Sequence, residues 1–125
     1  MKWHIWLAAL ATVIWAGAAQ ASVGFETVSV PVAGDKPLAV TIWYPTDAPE
    51  RAVPLSLYSQ SVAPGAPVAG HGHPLVVISH GTGGSNADHY DTARALAAAG
   101  FVVAAPTHTG DTQGDRSRST PSRTN

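Results

Sequence analysis

The sequence predicts an incomplete α/β fold, in which an N-terminal β-hairpin is followed by a βαβ unit. Three observations carry this. Two short β-rich stretches, Phe25 to Val30 and Leu38 to Tyr44, flank a turn-forming segment. Two continuous apolar runs, Leu75 to Ser79 and Phe101 to Ala105, have the pattern of buried parallel strands. Between those runs lies an alanine-rich segment with helix signals at both ends.

The first residues form a targeting segment. Lys2 supplies the positive start, Ile5 to Gly17 is apolar, and Ala19-Gln20-Ala21 is a small-x-small cleavage site. A membrane span needs about 20 apolar residues; this run is shorter and ends in the cleavage motif. Residues 1–21 are therefore expected to be a signal peptide. The mature chain would begin at Ser22, exported to the periplasm or secreted, with no stable membrane anchor after cleavage.

Residues 22–118 make the expected domain. Phe25 to Val30 alternates and is β-branched, so it reads as a strand. Pro31 to Pro37 is rich in turn residues. Leu38 to Tyr44 is the second strand, stopped by Pro45. Thr46 to Arg51 reads as a polar loop and Val53 to Ser59 as a short extended piece. Val62 to Pro74, with Pro64, Pro67 and Pro74, reads as surface loop.

Leu75 to Ser79 then reads as a strand buried on both faces. His80 to Gly84 is a tight turn. Ser85 and Asp88 match a capping box, which places a helix start there. The helix should end at Gly100, where a left-handed cap suits glycine. Phe101 to Ala105 is the next buried strand, ended by Pro106. Strand, helix and strand within about thirty residues form a βαβ unit. Residues 119–125 read as a disordered or truncated tail.

Composition removes several function classes. Hydrophobic residues make up 45% and charged residues 12%, which is unlike a disordered chain. The net charge is −1, with no basic footprint for nucleic acid. There is no cysteine, so thiolate metal sites and a cysteine nucleophile are excluded. His71 and His73 sit in a glycine-rich loop with no carboxylate nearby in sequence, so no metal and no cofactor are expected. Asp88 and Asp91 read as helix-start charges facing water, and Arg116, Arg118 and Arg123 as a solvated tail.

The segment able to carry chemistry is His80-Gly81-Thr82-Gly83-Gly84-Ser85, between a strand end and a helix start. Ligands sit at the carboxyl ends of strands in an open α/β sheet. Glycines let backbone N–H groups converge, and the helix terminus favours negative charge. Such a loop binds phosphate or holds the oxyanion of an acyl intermediate. A phosphate loop of the G-x-x-x-x-G-K-[ST] type needs a lysine, and none is near. The dinucleotide fingerprint G-x-G-x-x-G fits Gly81 and Gly83, but Asn86 stands at its third position. His-Gly at a strand end instead matches the oxyanion loop of lipases and esterases.

The stretch PLVVISHGTGGSNADHYDTARALAAAGFVVAAPTHTGDT resembles the predicted dienelactone hydrolases and the platelet-activating-factor acetylhydrolase-like enzymes of the α/β-hydrolase superfamily. Upstream, VGFETVSVPVAGDKPLAVTIWYPTDAP looks like the first hairpin of the same family. The resemblance runs from about Val23 to about Arg118. It implies a serine carboxylic-ester hydrolase acting on a small-molecule ester. It further implies that the Thr82 backbone N–H donates to the oxyanion, with His80 and Gly81 building the loop. Gly83, Gly84 and His108 would line the substrate side, with Gly110 and Asp111 shaping the wall beside His108.

One departure matters. The family carries its nucleophile in G-x-S-x-G, and no such motif occurs in these 125 residues. Ser79 reads as hydrogen-bonded core and Ser85 as a helix cap, so nucleophile, acid and catalytic histidine are not present. The expected product is the N-terminal part of an esterase, inactive by itself. Two other readings stay open: a non-catalytic exported small-anion-binding protein, and a non-functional truncated reading frame.

Overall fold

The structure, a computed structural model, describes Ala21 to Ser119. The expected signal peptide, Ala21 apart, and the tail beyond Ser119 lie outside the described residues. Six strands and one helix follow in order: β1 (Ser22–Val30), β2 (Leu38–Thr46), β3 (Arg51–Leu55), β4 (Tyr58–Pro64), β5 (Leu75–Val77), α1 (Tyr90–Ala98) and β6 (Val102–Pro106). They form one open mixed sheet of order β3-β4-β1-β2-β6-β5. This is a partial α/β-hydrolase fold, with the N-terminal hairpin and the βαβ unit that the sequence predicts.

The hairpin is the backbone of the sheet. β1 and β2 pair antiparallel along nine positions, from Ser22 against Thr46 to Val30 against Leu38. Alternation sends Val23, Phe25 and Trp43 into the core, where Phe25 meets Trp43 edge-on at 5.5 Å. The buried Trp43 indole N–H donates to Gln60 Oε1 at 3.0 Å, so a large apolar group is buried without stranding its polar atom. Tyr44 lays its ring over Gly24, its partner across the pair. A methyl group at Gly24 would collide with that ring.

Helix α1 packs on the sheet through Ala93 and Ala97, both fully buried. One turn apart, they share a face, and their small side chains let the helix lie close. Arg94 locks it laterally. Its Nε donates to Ser61 O at 2.7 Å and its Nη2 to Glu50 Oε2 at 2.7 Å, while Glu50 Oε1 accepts the Val23 N–H at 2.8 Å. The helix ends as its sequence predicts. Gly100 has φ 102, Gly100 N–H bonds Ala97 O and Phe101 N–H bonds Leu96 O, which is a Schellman closure.

Three local expectations are corrected. First, Arg51 to Pro64 is a second hairpin turning at Ser56, not a short extended piece followed by loop. Val62 and Ala63, expected in a surface loop, are buried in β4. The prolines misled because Pro64 is the last residue of β4 and ends the strand rather than excluding it, while Pro67 and Pro74 lie beyond it. Second, the strand at Leu75 is three residues long and lies at the open edge. It was expected to be buried on both faces, yet Leu75 is 64% and Val77 61% exposed, because only β6 flanks it. Third, the helix starts at Tyr90, not Ser85. His89 has φ 58, and a left-handed residue there breaks the helix path. Ser85 and Asp88 close a local turn instead: Ser85 Oγ accepts Ala87 N–H at 3.1 Å and Ser85 O accepts Asp88 N–H at 3.1 Å.

Candidate active site

Strands β5 and β6 run parallel, so their carboxyl ends deliver two loops to the same end of the sheet. Residues 78–89 form one loop and 107–119 the other. Three hydrogen bonds from backbone amides join them. His108 N–H donates to His80 Nε2 at 2.9 Å, Gly83 N–H to Asp111 Oδ1 at 2.9 Å, and Asn86 N–H to Thr107 Oγ1 at 3.0 Å. Asn86 also reaches down to the sheet, donating from Nδ2 to Thr41 Oγ1 at 2.6 Å. The glycine loop is thus held from the side and from below.

His80 is buried, and its two nitrogens have different partners. Nε2 accepts the His108 amide, so the ring proton belongs on Nδ1, 2.7 Å from Gly81 O. Gly84 N–H bonds the same carbonyl at 3.0 Å, closing a tight turn in which Gly83 adopts φ 74. The Gly81 carbonyl and the Thr82 N–H belong to one planar trans peptide unit, so they point in opposite directions. Fixing the carbonyl toward His80 therefore aims the Thr82 N–H away from it. Among the described residues that N–H has no acceptor.

The glycines expected on the substrate side have committed amides: Gly83 gives its N–H to Asp111, Gly84 to Gly81. They present bare Cα surface. A side chain at Gly83 would strike the Arg116 guanidinium, and one at Gly84 the Asp88 carboxylate and the His80 ring. A cleft of about 350 Å³ opens beside Gly83, Gly84 and Ser85, walled by the β3–β4 tip at Leu57 and Tyr58 and by Thr112 to Gly114.

His108 stands at the end of β6, its ring 4.1 Å from that of His80 and tilted by 30°. Its Nε2 is 2.9 Å from Ser79 Oγ. Ser79, expected as hydrogen-bonded core, is exposed, because among the described residues no strand covers the outer side of β5. Asp111 does more than shape a wall. The Ser119 hydroxyl and the Gly83 amide hold its carboxyl below the usual carboxylate range against the opposing effect of burial.

The arginines are not a free tail. Arg118 pairs with Asp35 in the β1–β2 turn, and Lys36 lies 3.7 Å from Asp115. Arg123 lies outside the described residues. Both ring nitrogens of His73 face backbone carbonyls, Gly100 O at 2.9 Å and Ala69 O at 2.6 Å. Among the described residues no three His, Asp or Glu side chains gather as metal ligands. Sequence reasoning missed Asn86, Thr107 and Arg116. Asn86 shows only as a misfit in the glycine fingerprint, Arg116 reads as solvated tail, and Thr107 carries no signal.

With this geometry in view, the comparison with known proteins is decisive on one point. The sequence profile of the family described as platelet-activating factor acetylhydrolase, isoform II, matches residues 53–120, more than half of the chain. The chain belongs to that family. The matched stretch holds β4, β5, α1, β6 and both loops of this acetylhydrolase-family site. Among solved structures, a ferulic acid esterase from Streptomyces cinnamoneus is 28% identical, with a TM-score of 0.62. The similarity covers 79% of this chain and 37% of the esterase, so the family member spans little more than a third of that enzyme's length. No curated protein matches the chain.

Proposed function

We propose that the chain is the N-terminal part of an exported serine carboxylic-ester hydrolase and supplies one side of its oxyanion hole. The observation that carries the reading is the Thr82 N–H, without an acceptor among the described residues and aimed by the Nδ1-protonated His80 through the Gly81 peptide. Preorganised donors of this kind stabilise charge that develops only in the transition state. The nucleophile, its acid and the catalytic histidine would come from residues outside these 125, since no G-x-S-x-G occurs within them. The 125 residues alone then turn over no ester. A small-molecule ester is the substrate class that membership of an acetylhydrolase family and likeness to a ferulic acid esterase favour.

The rival reading, an anion-binding loop, is disfavoured by Asp111. Its own carboxylate already occupies the Gly83 amide that an incoming anion would need.

The test is made on a version extended through a G-x-S-x-G segment, which the nucleotide sequence beyond the Asn125 codon would supply. Thr82→Pro removes the donor and should lower kcat for a short-chain activated ester by about 10²–10³-fold. Thr82→Ala keeps the N–H and should change little. Equal activity of the two variants would refute the assignment. Export is checked by mass spectrometry of the mature N-terminus, expected at Ser22, the first residue of β1.

A further inference from the structure

Ser79 belongs to no nucleophile motif, yet its surroundings contain the parts that activate one. Its hydroxyl is exposed and lies 2.9 Å from His108 Nε2. His108 is steadied by its ring contact with His80 and by its own amide, which bonds His80 Nε2. Two and three residues further on, the Gly81 and Thr82 N–H groups have no acceptor among the described residues. A serine, a hydrogen-bonded imidazole and nearby unpaired amides form a nucleophile–base arrangement with oxyanion donors.

We propose that Ser79 is an acyl acceptor in its own right, activated by His108 and able to take an acyl group from an activated carboxylic ester. This goes beyond the reading above: it shares the loop donors but needs no residue outside the chain. Ser79 donates its hydroxyl proton to His108 Nε2 as Oγ bonds to the ester carbonyl carbon. The resulting oxyanion is held by loop amides. Collapse breaks the bond to the leaving oxygen, which departs as the phenol or alcohol with the proton from His108. The products are acyl-Ser79 and the free phenol or alcohol. Acyl-Ser79 accumulates, because serine alkoxide is a far poorer leaving group than nitrophenolate.

The probe is p-nitrophenyl acetate on the full chain, with intact and tandem mass spectrometry. The expected result is a burst of one nitrophenolate per chain, no steady turnover, and an acetyl group on Ser79. Ser79→Ala should abolish the burst. His108→Gln keeps the backbone amide that bonds His80 and should slow acetylation by about 10²-fold or more. Circular dichroism checks that each variant matches the parent chain. The proposal is overturned by acetyl on lysine alone, by His108→Gln reacting at the parent rate, or by equal labelling of Ser79 in chain unfolded with urea. Any of these leaves the Thr82 test on the extended protein intact, so the two readings fail separately.

Discussion

The two ends of the sheet are built differently. At one end, the β3–β4 hairpin covers β1, a short strand with a proline forms the rim, and Trp43, Phe25, Val23 and Val62 fill the core beneath. At the other end, β5 is three residues long, has β6 as its one neighbour and exposes Leu75 and Val77. The first end is finished in the way natural sheets blunt an edge. The second presents unpaired backbone and apolar side chains, the combination that invites another strand. Stability is thus concentrated away from the candidate site, and the chemistry sits beside the open edge.

The largest test of this contrast is Trp43→Ala. It removes a fully buried side chain and strands Gln60, whose Nε2 already lacks a partner, so it should cost about 3–5 kcal/mol in chemical denaturation. A cost under about 1 kcal/mol, the scale of ordinary surface changes, would show that the hairpin end is not where stability lies.

Next comes the Arg94–Glu50 lock between α1 and the covered end. Arg94→Ala loses two charge-assisted bonds and leaves Glu50 with the Val23 amide, at a cost of about 1–3 kcal/mol. The same lock gives a pH dependence. Burial raises the Glu50 pKa, but the Val23 amide, Arg94 and the Ser61 hydroxyl together outweigh it and set it below its ordinary 4.5. A depressed carboxyl contributes stability that is full above 4.5 and fades as pH falls through the lower folded value. Melting temperature followed downward from neutral pH should therefore decline more in the parent than in Glu50→Gln. Parallel declines would count against the lock.

The smallest effect on stability is expected at the open edge. Val77→Lys replaces an exposed side chain and should shift stability by no more than about 0.5 kcal/mol. It should nonetheless reduce self-association, because a lysine on an edge opposes further pairing. Sedimentation velocity of parent and variant at matched concentration is the measurement. Identical association would place the sticky surface elsewhere.

Much of this was legible in the sequence for simple reasons. The β1–β2 hairpin announces itself by period-two alternation around a turn. The C-terminal end of α1 announces itself by a glycine that alone takes φ 102 without strain. The glycine loop was recognisable because few sequences place His-Gly and two further glycines between an apolar strand and a helix. The start of α1 was not legible: S-x-x-D fits both a capping box and a free-standing turn, and the left-handed His89 that decides between them leaves no mark in composition. The β3–β4 hairpin was hidden by a run of prolines whose first member, Pro64, closes β4 instead of opening a loop at Val62.

The sequence by itself determined local matters: the first hairpin, the βαβ unit, the C-terminal end of its helix, where the glycine loop lies, and that no cysteine and no G-x-S-x-G are present. These depend on residues close together along the chain. Only the tertiary structure decided that Leu75 to Val77 is an edge, that Asp111 spans to Gly83, that His108 meets both His80 and Ser79, and that the Thr82 N–H is left over. The contacts among these join residues about thirty positions apart, brought together because a βαβ crossover returns the chain to the same end of the sheet. Neither spacing nor propensity encodes which donor in such a junction stays unpaired, and that leftover donor is what gives the loop a chemical use.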